Sequence, residues 1–118
     1  MTRILIIEDD KLIRWSLKEI FLKEGYTVDS AADSKSALES IRKNNYQVIF
    51  IDLEVDDSSP AEMIAHLRRY QPESALIVLS AMNEQEIEEI IRGEKIFAVM
   101  DKPFQTEAVK RVVKQALE

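Results

Sequence analysis

The sequence predicts an α/β fold: a doubly wound, five-stranded parallel sheet in the order 2-1-3-4-5, with five helices. Three observations predict it. Short β-branched or aliphatic runs alternate from end to end with longer stretches of helical spacing. The third run, Val48-Ile49-Phe50-Ile51, is continuously apolar, as suits a central strand buried on both faces. The chain has 118 residues, 46% hydrophobic and 32% charged, enough for one core without disulfide or metal staples.

The expected strands are Ile4–Ile7, Tyr26–Val28, Val48–Ile51, Leu76–Leu79 and Ile96–Met100. The second and fifth are weaker and suit the sheet edges. The first helix is expected over Lys11–Lys23, with Leu12, Ile13, Leu17, Ile20 and Phe21 inward. Gly25 then supplies a left-handed stop. The second covers Ser34–Lys43, capped by Asp33 or Ser34 and packing through Ala37, Leu38 and Ile41. The third covers Pro60–Tyr70, with Ser59 as cap, Pro60 in the first turn, and Met63, Ile64 and Leu67 inward. The fourth, Asn83–Arg92, uses Ile87, Ile90 and Ile91. The fifth, Thr106–Leu117, uses Ala108, Val109, Val112, Val113 and Ala116. Residues 1–118 are read as one domain.

Composition removes several function classes. With no cysteine, disulfide, thiol-nucleophile and thiolate-metal chemistry are excluded. A single histidine, His66, rules out a multi-histidine metal site and reads as an exposed helix residue. Sixteen basic against 22 acidic residues give a net charge of −6, which opposes binding to nucleic acid or anionic lipid. Apolar runs such as Ala75–Leu79 are far short of a membrane span, and Met1–Ile7 reaches Glu8 too early for a signal peptide. A cytoplasmic domain is expected. No Gly-rich phosphate loop is present.

In open parallel sheets, ligands sit beyond the carboxyl ends of the strands, where strand order reverses. Glu8, Asp9 and Asp10 follow the first strand, Asp52 the third, Ser80 and Ala81 the fourth, and Asp101, Lys102 and Pro103 the fifth. All are expected in one crevice. Clustered carboxylates raise one another's pKa unless a cation relieves them, and a hard oxygen set suits Mg²⁺. An aspartate beside Mg²⁺ and a lysine is equipped to attack phosphorus. Ser80 would donate a hydrogen bond to a phosphoryl oxygen. Read singly, the acids could be a solvated helix start, Asp10 an N-cap, Ser80 a helix cap and Trp15 partly buried packing. Asp56-Asp57 reads as a solvated loop.

The motifs Ile4-Leu5-Ile6-Ile7-Glu8-Asp9-Asp10, Val48-Ile49-Phe50-Ile51-Asp52-Leu53, Val78-Leu79-Ser80-Ala81 and Asp101-Lys102-Pro103-Phe104 occur in that order. Together, over essentially the whole chain, they resemble a response-regulator receiver domain of two-component signal transduction, a flavodoxin-like fold. The resemblance implies that Asp52 accepts a phosphoryl group from a sensor histidine kinase or a phosphotransfer protein. It implies that Asp9 and Asp52 bind Mg²⁺ directly with a backbone carbonyl of Glu54, while Glu8 acts through water. Ser80 would be the switch hydroxyl and Lys102 the phosphoryl-binding lysine. Pro103 would shape a peptide bond that is often cis in the family, and small Ala81 would leave room for the phosphoryl group. It further implies a responsive surface of helix 4, strand 5 and helix 5, a downstream output domain or protein, and a homodimer through helices 4 and 5. Ile13-Arg14-Trp15 is similar to receivers that precede enhancer-binding modules.

The chain departs from the family pattern in three places. The loop after Asp52 reads Glu54-Val55-Asp56-Asp57-Ser58-Ser59-Pro60, with acid where proline is expected. Val99 stands where the family carries an aromatic switch residue, with Phe97 two residues earlier on the same strand face. No output module follows in this sequence. These features leave a rival open: an interaction module on this fold that works without phosphorylation. A small phosphatase of similar topology is a second rival, but Glu54 stands where its second aspartate belongs.

Overall fold

A computed structural model describes residues 1–55 and 59–118. The expected loop acids Asp56 and Asp57 lie outside the described residues. The strands are β1 (Arg3–Ile7), β2 (Thr27–Ala31), β3 (Val48–Asp52), β4 (Ala75–Ser80) and β5 (Ala98–Asp101). The helices are α1 (Lys11–Lys23), α2 (Ser34–Lys43), α3 (Pro60–Tyr70), α4 (Glu84–Ile91) and α5 (Thr106–Ala116). All pairings are parallel and the order is β2-β1-β3-β4-β5, with β2 and β5 at the edges as expected.

Strand alternation sorts the core into two layers. Leu5, Ile7, Ile49, Ile51, Leu76 and Val78 face α2, α3 and α4, meeting Ala37, Ile41, Met63, Ile64, Leu67 and Ile87. Ile4, Ile6, Val48, Phe50, Ile77 and Leu79 face α1 and α5, meeting Leu17, Phe21, Val109, Val112 and Val113. Phe50 is fully buried and stacks on Phe21 with ring centroids 5.4 Å apart. Asp10, Asp33, Ser59 and Asn83 cap α1 to α4 by accepting from Ile13, Ser36, Glu62 and Glu86 amides at 2.8–3.4 Å. Gly25, at φ 90°, occupies the left-handed turn that ends α1.

Five expectations are corrected. Leu12 is 75% exposed and Trp15 61% exposed, not packed inward. At 100° per residue, Leu12 lies roughly 140° around α1 from the buried Leu17, off the stripe formed by Ile13, Leu17, Ile20 and Phe21. β2 starts at Thr27 and runs on through polar Asp29 and Ser30 to Ala31. Asp29 is accommodated because Arg3 Nη1 (3.1 Å) and the Tyr46 hydroxyl (2.7 Å) both donate to it. β5 begins at Ala98, two residues later than expected, although the Phe97 amide already donates to Leu76 O at 2.8 Å. His66 is half-buried rather than exposed.

Phe50→Ala is expected to lower unfolding free energy by about 3–5 kcal/mol, as for other buried phenylalanines. Leu12→Ser should change it by less than about 0.5 kcal/mol. Urea unfolding of both variants checks the layer assignment. A large loss at Leu12, or a small one at Phe50, would contradict it.

Candidate functional site

The carboxyl ends of β1, β3, β4 and β5 meet at one rim. Glu8 follows β1 and is fully buried. Its amide donates to Ala31 O at 3.0 Å, and its Oε2 accepts from the Asp10 amide at 3.1 Å. The first turn of α1 braces this loop, because Arg14 Nη1 donates to the Glu8 carbonyl (3.0 Å) and the Asp9 carbonyl (3.3 Å). Asp52, the last residue of β3, is buried, and its Oδ1 accepts from the Glu54 amide at 2.9 Å.

Lys102 enters from the end of β5. Its amide donates to Ser80 O at 3.0 Å, and the Lys102–Pro103 bond is cis. Its Nζ lies 2.9 Å from Glu8 Oε1 and 3.0 Å from Asp52 Oδ2, bridging the two buried acids. Glu8, Asp9 and Asp52 each offer a carboxylate oxygen, all within 4.8 Å of one another. Octahedral Mg²⁺ holds its oxygens roughly 3–4 Å apart at bond lengths near 2.1 Å, so this hard, sulfur-free donor set fits that ion with small adjustments.

Electrostatics follow from burial and charge. Burial, reinforced by the Asp52 carboxylate, pushes the Glu8 carboxyl up to about 7, while Lys102 opposes the shift. Burial also resists ionisation of Asp52, but its hydrogen bonds with Glu8, Glu54 and Lys102 hold it below the ordinary carboxylate value. Burial acts to lower Lys102, yet Glu8 and Asp52 more than offset that and keep the ammonium above its usual value.

The fourth strand adds hydrogen-bonding groups. Ser80, fully buried at the end of β4, accepts from the Met82 amide at 2.9 Å and donates to Glu54 Oε1 at 3.2 Å. The Ala81 amide donates to the same Glu54 oxygen at 2.7 Å. Burial and the neighbouring Asp52 raise the Glu54 carboxyl above its ordinary value, against the Ala81 bond.

Most residues expected in the crevice therefore meet there, with two exceptions. Asp10 caps α1, in agreement with its reading as an N-cap. Asp101 is exposed and lines a cleft with Met82, Asn83, Ile87, Ile91 and Val99, because it alternates with Lys102 across the strand end. Sequence reasoning did not anticipate the Arg14 brace or the Glu54 side chain. The signal for Arg14 was its place in the first turn of α1, four residues after Asp10. Nothing local pointed to the Glu54 contact.

Residues 4–114 match the response regulator receiver domain family. The chain belongs to that family. This receiver is 33% identical to chemotaxis protein CheY of Thermotoga maritima, over 95% of this chain and 98% of that one. It superimposes on a CheY-like receiver from Methanospirillum hungatei with a TM-score of 0.93 at 25% identity, covering 99% of this chain and 94% of the other. It also matches response regulator TrrA of Thermotoga maritima, solved in complex with Mg(2+)-BeF, with a TM-score of 0.84 at 28% identity. That match covers 98% of this chain and 99% of the other. No helix among the described residues is long and apolar enough to cross a membrane.

Without metal, the raised Glu8 value fixes a sign. The folded state binds a proton more tightly than the unfolded state, whose ordinary value is 4.5. Glu8's stabilising contribution is therefore complete below that value and is lost as pH rises through about 7. Metal-free urea unfolding should show wild type losing stability relative to Glu8→Gln between pH 5 and 8, on the order of 2 kcal/mol. Parallel pH profiles would contradict the burial argument.

Proposed function

We propose that this receiver is a phosphorylation-driven switch in which Asp52 is the acceptor. The observation that carries the reading is the Lys102 ammonium held 3.0 Å from Asp52 and 2.9 Å from Glu8, with an Asp9 oxygen at metal-sharing distance. Asp9, Asp52 and the Glu54 carbonyl would hold Mg²⁺, with Glu8 acting through water. The ion would neutralise phosphoryl charge when bound. That the similar TrrA is solved in complex with Mg(2+)-BeF supports Mg²⁺ as the ion.

The donor is a sensor histidine kinase or a phosphotransfer protein, and an acyl phosphate is the small-molecule equivalent. An Asp52 carboxylate oxygen attacks phosphorus in line. The new O–P bond forms as the donor's P–N or P–O bond breaks, and the bonding pair leaves with the imidazole, which takes up a proton, or with the carboxylate. Lys102 then follows the charge from the Asp52 carboxylate to the phosphoryl oxygens, and Ser80 donates its hydroxyl to one of them.

The aspartyl phosphate carries about −1.5 to −2 charge at one strand end, where the Asp52 carboxylate carried −1, and spreads it over three phosphoryl oxygens. Ser80 and Lys102 sit on the ends of β4 and β5, so their movement toward that charge shifts the surface of α4, β5 and α5. That surface carries a cleft of ≈ 570 Å³ with Ile87, Ile91 and Val99 on its walls, and is assigned to an output domain or protein and to homodimer contact. The switch redistributes two states through differential affinity.

A second reading, an interaction module that works without phosphorylation, is favoured by one observation. The position of the family's aromatic switch holds Val99, 42% exposed, and Phe97, just before β5, is 45% exposed.

Intact-mass measurement after incubation with acetyl phosphate and Mg²⁺ separates the readings. Wild type should gain about 80 Da. The gain should vanish in Asp52→Ala and when Mg²⁺ is chelated. A wild-type protein that stays unmodified, with its fold verified by circular dichroism, would favour the second reading.

A further inference from the structure

We propose that the Glu54 side chain is a built-in occupant of the phosphoryl-oxygen cradle, so that a group on Asp52 can seat only by displacing it. The inference rests on the phosphorylation reading above and concerns how access to that site is controlled.

The cradle consists of the Ser80 hydroxyl and the Ala81 amide, two donors at the end of β4. Both are directed at one atom, Glu54 Oε1, at 3.2 and 2.7 Å. Converging donors of this kind suit an anionic oxygen, whether it belongs to a carboxylate or a phosphoryl group. The contact is not a local turn, since it joins residues 26 and 27 positions apart.

The seat is imperfect. Glu54 Oε2 is buried with no hydrogen-bond partner among the described residues. Lys102, the nearby cation, pairs with Glu8 and Asp52 instead. A carboxylate with one oxygen bonded and one stranded in a buried place is costly to hold there. Outside the cradle, both its oxygens would regain water. A tetrahedral phosphoryl group offers three oxygens, enough for the Ser80 and Ala81 donors and for Lys102 together.

The backbone makes the competition direct. The Glu54 amide binds Asp52 Oδ1 at 2.9 Å, so the side chain departs from a residue already locked to the acceptor. Its negative charge also stands where an incoming phosphoryl dianion must approach, adding repulsion to occupancy.

Two measurements test this. In metal-free protein, the Ala81 amide proton should resonate downfield in wild type, move upfield in Glu54→Ala, and lie between in Glu54→Gln. An unchanged Ala81 resonance would overturn the contact. The second measurement is beryllofluoride binding in Mg²⁺, followed by amide shifts. Glu54→Ala should bind about three- to tenfold more tightly than wild type. Adding Asp52→Ala should abolish binding. A gain in affinity cannot arise from a damaged fold. Equal or weaker binding by Glu54→Ala, with wild type still binding through Asp52, would overturn the occupant role and leave the acceptor reading standing. No binding by any protein would overturn both.

Discussion

One ammonium between two buried carboxyl groups organises this molecule's functional end. Lys102 lies 2.9 Å from Glu8 and 3.0 Å from Asp52, and both acids are buried. Each charge alone would be expensive to hold there, and each is tolerable because of the others. The arrangement is therefore poised. The acids need a cation, Lys102 is the one that pairs with them among the described residues, and a divalent ion or a phosphoryl group would change which partners it keeps.

The fold sets up that triad through register. β1, β3 and β4 are consecutive neighbours in the sheet, and their alternating side chains fill two apolar layers. The same alternation brings Glu8, Asp52 and Ser80 to one rim when the apolar runs end. Parallel pairing of Ser80 with Asp101 then delivers the next residue, Lys102, to the acids from the sheet edge. The hydrophobic layers thus fix the geometry of the polar site, and burial by the same layers raises Glu8 toward neutrality.

Much of this was legible because strand ends in a parallel sheet are predictable from apolar runs. Val48–Ile51 announced a central strand, and whatever followed it had to lie at the rim. The N-caps Asp10, Asp33 and Ser59 were readable for a similar reason, since capping is local chemistry, whereas Asn83, read as the first residue of its helix, is instead the cap of α4. The errors fell where local pattern does not decide. Leu12 is apolar but off the buried stripe of α1. β2 continues through Asp29 only because Arg3 and Tyr46, distant in sequence, satisfy it. The Glu54 contact with Ser80 and Ala81 links two loops, and no periodicity encodes it. At the opposite end of the sheet, buried Gln71 donates to Ile41 O and Asn44 O and accepts from the Tyr46 amide, a clamp that composition gave no reason to expect.

The charge coupling at the rim is the claim on which the account stands. Its most direct test is a pH titration of the Asp52 side-chain carboxyl carbon by NMR, metal-free, in wild type and in Lys102→Met. If the ammonium holds Asp52 ionised, removing it raises the Asp52 midpoint clearly above the wild-type value. Superimposable titration curves would mean that Lys102 and Asp52 are not partners, and the proposed switch would lose its centre.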